Sequence, residues 1–207
     1  KEGKWTYQGS SAGYNLVLKH KPFLLPWVRK VVEEARKRHK TLVAFSHYPL
    51  VDFNDGVSES VRRMWGDRRF DLHRVPEAEV SEAFLQAGLR LHFAGHMHVN
   101  DTGIWEGKDG KHLYNMQVPS IATYVPAYKI LTIESDEVFR VETVTLDTVP
   151  GFDSLFPLYR AEYQSDSLRG HSPVWNKEIL SARTYGEFCD YQFRDLVRLR
   201  FIPRDLP

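Results

Sequence analysis

Three histidines carry the chemistry that can be read from this chain. His96 and His98 stand one residue apart in "FAGHMHVN", Phe93 to Asn100, and His47 stands in "VAFSHYPL". A neutral imidazole offers one lone pair and suits zinc, iron, manganese or nickel. Gly95 lets the backbone turn tightly before His96, and alternate side chains of an extended chain share a side, so His96 and His98 can serve one ion or two neighbouring ions. On its own, a G-H-x-H pattern reads more readily as surface or packing histidines than as metal ligands. What gives it weight is the element that precedes each histidine.

"TLVAF", Thr41 to Phe45, is short and continuously apolar, as expected of a strand covered on both faces, and it runs into Ser46-His47. "LRLHFA" alternates Leu89, Leu91 and Phe93 with Arg90, His92 and Ala94, which predicts a strand running into Gly95-His96. A helix is predicted before each strand. The first places Leu25, Val28, Val32 and Ala35 on one face, with Pro26 in the first turn. The second turns Val80, Ala83, Phe84 and Ala87 inward and stops at Gly88. This order predicts parallel strands joined by crossover helices, and ligands collect beyond the carboxyl ends of such strands. His47 and His96 are therefore expected to meet there.

"IWEGKDGKHLYNM" predicts a hairpin turning through Gly107 to Gly110, and "YKILTIESDEVFRVETVTL" another turning at Ser135-Asp136. The expected class is mixed α/β with antiparallel additions. Composition changes near "DTVPGFDS", so residues 1–149 are expected to form one α/β domain, and residues 150–207 an aromatic-rich helical extension packed on it.

The 207 residues hold 28 Lys+Arg against 27 Asp+Glu, a net charge of +1, which gives no broad basic field for nucleic acid. With a single cysteine, Cys189, neither an internal disulfide nor a cysteine-rich zinc module can form, so nitrogen and oxygen would have to hold any metal. No segment reads as membrane-spanning. The chain opens "KEGKWTYQGS" with no initiator methionine, and is expected to be a processed chain or a piece of a longer one.

At its histidines the chain resembles the calcineurin-like metallophosphoesterases. "VAFSHYPL" is similar to the fourth of that family's five motifs, a strand ending in one histidine, and "FAGHMHVN" to the fifth, G-H-x-H. The resemblance covers roughly Thr41 to Leu146 and implies a sandwich-type α/β fold that hydrolyses phosphate mono- or diesters at a dinuclear centre. It implies that His47 and His96 bind one ion and His98 the other, the pair being divalent or trivalent Mn, Fe, Zn or Ni. The first three motifs, D-x-H, G-D-x-x-D and G-N-H-D/E, do not occur before His47. "WGDRRFD", Trp65 to Asp71, has the wrong spacing and follows His47. The chain thus resembles the carboxyl-terminal half of such an enzyme, with at most partial metal occupancy by itself. Its expected partners are a phosphate-ester substrate and either the missing amino-terminal half or a second copy. A non-catalytic scaffold of the same fold is the alternative.

Tyr48 and Asn100 flank the histidines and are candidates to contact a substrate phosphate. His92, inside its strand, reads as a satisfied sheet residue. Asp52, Asn54 and Asp55 lack calcium-loop spacing and read as turn formers.

Overall fold

The computed structural model describes residues 12–54, 56–67, 70–135, 138–170 and 176–198. The chain divides between Val118 and Pro119 into two compact units. The compositional change at Asp147 to Ser154 falls within the second, so the second hairpin groups with the helices that follow it.

The first unit runs α1 (Val17–His20), α2 (Leu24–Lys37), β1 (Ala44–Ser46), α3 (Ser58–Trp65), a 3-10 turn (Leu72–Arg74), α4 (Ala78–Gln86), β2 (Leu91–Ala94), β3 (Asp101–Glu106) and β4 (His112–Gln117). The four strands form one mixed sheet in the order β1-β2-β4-β3. β1 and β4 flank β2 in parallel, with Ser46 opposite Ala94 and Ala94 opposite Gln117, while β3 closes back on β4 as an antiparallel hairpin. Both predicted helix-strand pairs are present.

Helical spacing explains the core. Val28 and Val32 of α2 meet Val80, Phe84 and Leu85 of α4 over Leu50, Leu89 and Leu113. Complete burial of such a side chain stabilises by about 1.5–3 kcal/mol. The inward face of α4 includes Ser81 and Leu85, whereas Ala83 is only half-buried. Ser81 is accommodated there because its hydroxyl donates to the Leu50 carbonyl at 2.8 Å. Gly88 stops the helix with φ +103°, and a Cβ there would lie 2.7 Å from Val32 Cγ1, so glycine serves both the turn and the close approach of α2.

One expectation fails at β1. The strand is shorter and later than predicted, and it is an edge strand whose Phe45 is 72 % exposed. Ala44 packs against the helix-covered core, and the pleat then sends Phe45 to the opposite face, where it stacks on Phe93 at 5.4 Å. An unbroken apolar run does not reveal which of its faces is covered.

The second unit holds the hairpin β5 (Ala127–Ile133) and β6 (Phe139–Thr145), then α5 (Phe156–Leu168), a 3-10 turn (Lys177–Ser181) and α6 (Tyr185–Leu196). Ser135 lies in the hairpin connection as expected, and Asp136 lies outside the described residues. Rings of Phe152, Phe156, Tyr185 and Phe188 cluster at centroid distances of 5.6–6.4 Å, and buried Asp195 accepts from the Asn176 amide at 2.6 Å. Thr184 caps α6, its hydroxyl accepting from Glu187 N–H while the Glu187 carboxylate accepts from Arg183 N–H. Among the described residues, no helix is long and apolar enough to cross a membrane.

Candidate functional site

Parallel pairing of β1 with β2 brings their carboxyl ends side by side. The His47 carbonyl then accepts from both Gly95 N–H at 3.2 Å and His96 N–H at 2.9 Å, which fixes the two following loops against each other. On this backbone His96 Nδ1 and His47 Nε2 stand 3.0 Å apart, with ring centroids 4.9 Å apart. Tyr48 completes a three-ring cluster, at 4.8 Å from His47 and 4.6 Å from His96.

Two residues that no motif announced join this cluster. Arg74 Nη1 donates to His96 Nε2 at 2.9 Å and to Asp71 Oδ1 at 2.7 Å, and its guanidinium lies 5.7 Å from the Tyr48 ring centre. Asp71 Oδ2 is 3.5 Å from His96 Nε2. The 3-10 turn delivers both, with Asp71 in the left-handed region immediately before it. In sequence they are only an oppositely charged pair three residues apart in "FDLHR".

These contacts fix the tautomer. Since an arginine can only donate, His96 Nε2 is the acceptor, Nδ1 carries the proton, and Nδ1–H donates to His47 Nε2. Burial holds His96 below the ordinary histidine pKa, the Arg74 cation lowers it further, and Asp71 opposes both.

The other candidates are placed differently. His98 is exposed in a left-handed conformation, φ +57°, its N–H donating to the Gly95 carbonyl. Its side chain is not hydrogen-bonded to His47 or His96. Asn100 is exposed just before β3. His92 is buried in the sheet and bonded at both ring nitrogens, as expected of a satisfied sheet residue. Asp52 Oδ1 accepts from Asn54 N–H and the Ser58 hydroxyl, the arrangement of a turn, while Asp55 lies outside the described residues.

On a tetrahedral ion at about 2.1 Å two nitrogens stand about 3.4 Å apart, so the hydrogen-bonded His47–His96 pair, at 3.0 Å, would have to open to take two neighbouring ligand positions. A third donor does not join them. Among the described residues, no group of three His, Cys, Asp or Glu is arranged to hold a metal. The pair by itself does not complete a metal centre.

No family model matches the chain. Over 84 residues it is similar to the serine/threonine-protein phosphatase CPPED1 of Homo sapiens and to the protein of the same name in Pongo abelii, 29% identical in each case. The aligned stretch covers 40% of this chain and 24% of each relative, so the chain spans about a quarter of the length of the curated relatives it matches. This distant similarity hints at the phosphoesterase superfamily and no further.

Proposed function

We propose that this chain carries the carboxyl-terminal ligands of a metal-dependent phosphoesterase. The observation that supports the reading is the pairing of His47 with His96 at 3.0 Å beyond the carboxyl ends of adjacent parallel strands, in a chain that resembles a phosphatase. His47 and His96 would hold one ion and His98 would contribute to a second, with the remaining donors supplied from outside this chain. Bound ions of this kind lower the pKa of water towards neutrality and offset charge on phosphoryl oxygens.

The chain's own residues then have defined tasks. For His96 to present Nδ1 as a ligand, its proton must move to Nε2, and Arg74 then gives up its bond there. Tyr48 packs against both rings and holds their orientation, and Tyr48 and Asn100 would border the substrate's phosphate. Phe45, Ile104 and Tyr114 stand exposed on one face of the sheet, which is the surface assigned to the rest of the domain or to a second copy.

The test compares the longest natural polypeptide containing this chain with its His47→Ala and His96→Ala variants, by metal content and by hydrolysis of an aryl phosphate. Metal-dependent turnover that both variants lose supports the assignment. Turnover that survives in both, with unchanged metal content, removes it. The scaffold reading draws on a specific observation as well, the Arg74 cation bonded to His96 Nε2, which keeps the ring proton on Nδ1, the atom a metal would need. A parent polypeptide that binds no metal and hydrolyses nothing would decide for that reading.

A further inference from the structure

A charged concavity of about 300 Å³ lies in the first unit, and none of the histidines lines it. α2 forms one wall through Arg29, Val32, Glu33 and Arg36, the i, i+3, i+4, i+7 stripe of a single helical face. The turn after α4 forms the floor, with Gly88 pressed against Val32. Arg90 and Lys111 close the remaining sides.

Its charges do not cancel. The Lys111 ammonium pairs with Asp109, just outside the lining. That leaves Arg29, Arg36 and Arg90 against Glu33, and among the described residues no carboxylate oxygen lies within ion-pair distance of any of the three arginines. Arg90 is also held rigidly. Its Nη1 donates to the Leu85 and Leu89 carbonyls at 2.8 Å each, which caps the end of α4 beside the pocket that Arg90 lines. A fixed guanidinium is the group best suited to planar, two-point contact with phosphate.

The pocket is remote from the histidine pair. Arg90 and Lys111 each precede a strand, β2 and β4, whereas His96 follows β2, so the whole of that strand separates them, about 13 Å of extended chain.

We infer that this pocket is a binding site for a small phosphate-bearing dianion, which its three arginines and one glutamate match in charge. The site stands independently of the metal reading. Free inorganic phosphate and small phosphate monoesters share the chemistry, so both are used as probes.

Calorimetric titration with inorganic phosphate, and separately with glycerol phosphate, decides it. The titrations use the whole chain in chelator, in an otherwise unchanged His47→Ala/His96→Ala background that disables the paired histidines. The expected result is saturable binding of one anion per chain, weakened at least about tenfold by R29Q/R36Q, whose positions are solvent-facing and leave the α4 cap intact. Tighter binding of the inorganic ion identifies free phosphate as the ligand, and tighter binding of the ester a phosphorylated metabolite. Absence of saturable binding by both anions overturns the inference, as does binding that R29Q/R36Q leaves unchanged while circular dichroism shows the variant folded.

Discussion

His92 and His96 lie four residues apart on one strand and its exit, yet the fold puts them to opposite uses. His92 is 1 % exposed, and its surroundings dictate its protonation. Leu50 N–H already donates to Asn115 Oδ1, which marks that atom as oxygen, so His92 Nδ1–H donates to the same atom at 2.6 Å and Nε2 accepts the Ser46 hydroxyl at 2.7 Å. His96, two residues beyond the strand, meets a cation and a second imidazole at once. Inside the sheet a histidine is locked neutral, while at its carboxyl end it stays chemically adjustable.

The largest effect that can break this contrast is on activity and metal content. In the longest polypeptide containing this chain, His96→Ala should lower turnover at least about 100-fold, since losing even an outer partner of a metal ligand costs up to that much. Metal content should fall with it. His92→Ala should leave metal content in place, because its ring nitrogens are bonded within the sheet. Metal loss in both variants, measured on folded protein by plasma mass spectrometry, would erase the distinction.

Stability should respond in the reverse order. His92→Ala removes a buried ring and takes one hydrogen-bond partner each from Asn115 and Ser46, for a loss of about 2–4 kcal/mol. His96→Ala acts on a partly exposed group and should cost clearly less. Denaturant unfolding of the two variants side by side checks the order. Equal losses would mean that His96 is as structural as His92.

Much of this contrast was legible in the sequence. Strand ends at His47 and His96 follow from apolar runs that stop at a polar or glycine residue, and His92 within an alternating strand reads as a sheet residue. Phe45 was not legible as exposed, because an apolar run carries no information about which face finds a cover. Asp71 and Arg74 were not legible either: a 3-10 turn with a left-handed residue before it carries them to His96, and no local pattern encodes that long-range arrival. The basic pocket escaped for the same reason. Arg29 and Arg36 are far from Arg90 in sequence, and the three come to one pocket only when α2 packs against the turn at Gly88.

Acid separates the buried ring from an ordinary one. Burial pushes the His92 pKa down to about 4, against the upward pull of its bond to Asn115. Because the unfolded chain takes up a proton near pH 6.5 and the folded chain does not until about 4, the folded state holds its advantage above 6.5 and loses it as pH falls through that window. The loss reaches about 3 kcal/mol at the low end of the window. Tm should therefore fall between pH 6.5 and 4, and His92→Ala should flatten that slope. An unchanged slope in the variant would show that other groups govern acid sensitivity.

The smallest expected effect concerns Ser46, which links His92 to the backbone of Tyr48. Its hydroxyl lies 2.7 Å from His92 Nε2 and 2.9 Å from the Tyr48 carbonyl, so one proton is shared between the buried strip and the loop that carries the ring cluster. Ser46→Ala deletes that proton and leaves His92 Nε2 without a donor. A lost hydrogen bond to a neutral group costs about 1 kcal/mol, and the methyl left behind fills most of the space. Tyr48 keeps its position through its ring contacts with His47, His96 and the Arg74 guanidinium, none of which involves Ser46. The variant should thus unfold slightly more easily while metal content and turnover hold at wild-type levels. Should it instead lose metal as His96→Ala does, the buried strip and the histidine pair would act as one unit, with Ser46 passing the state of one ring to the other.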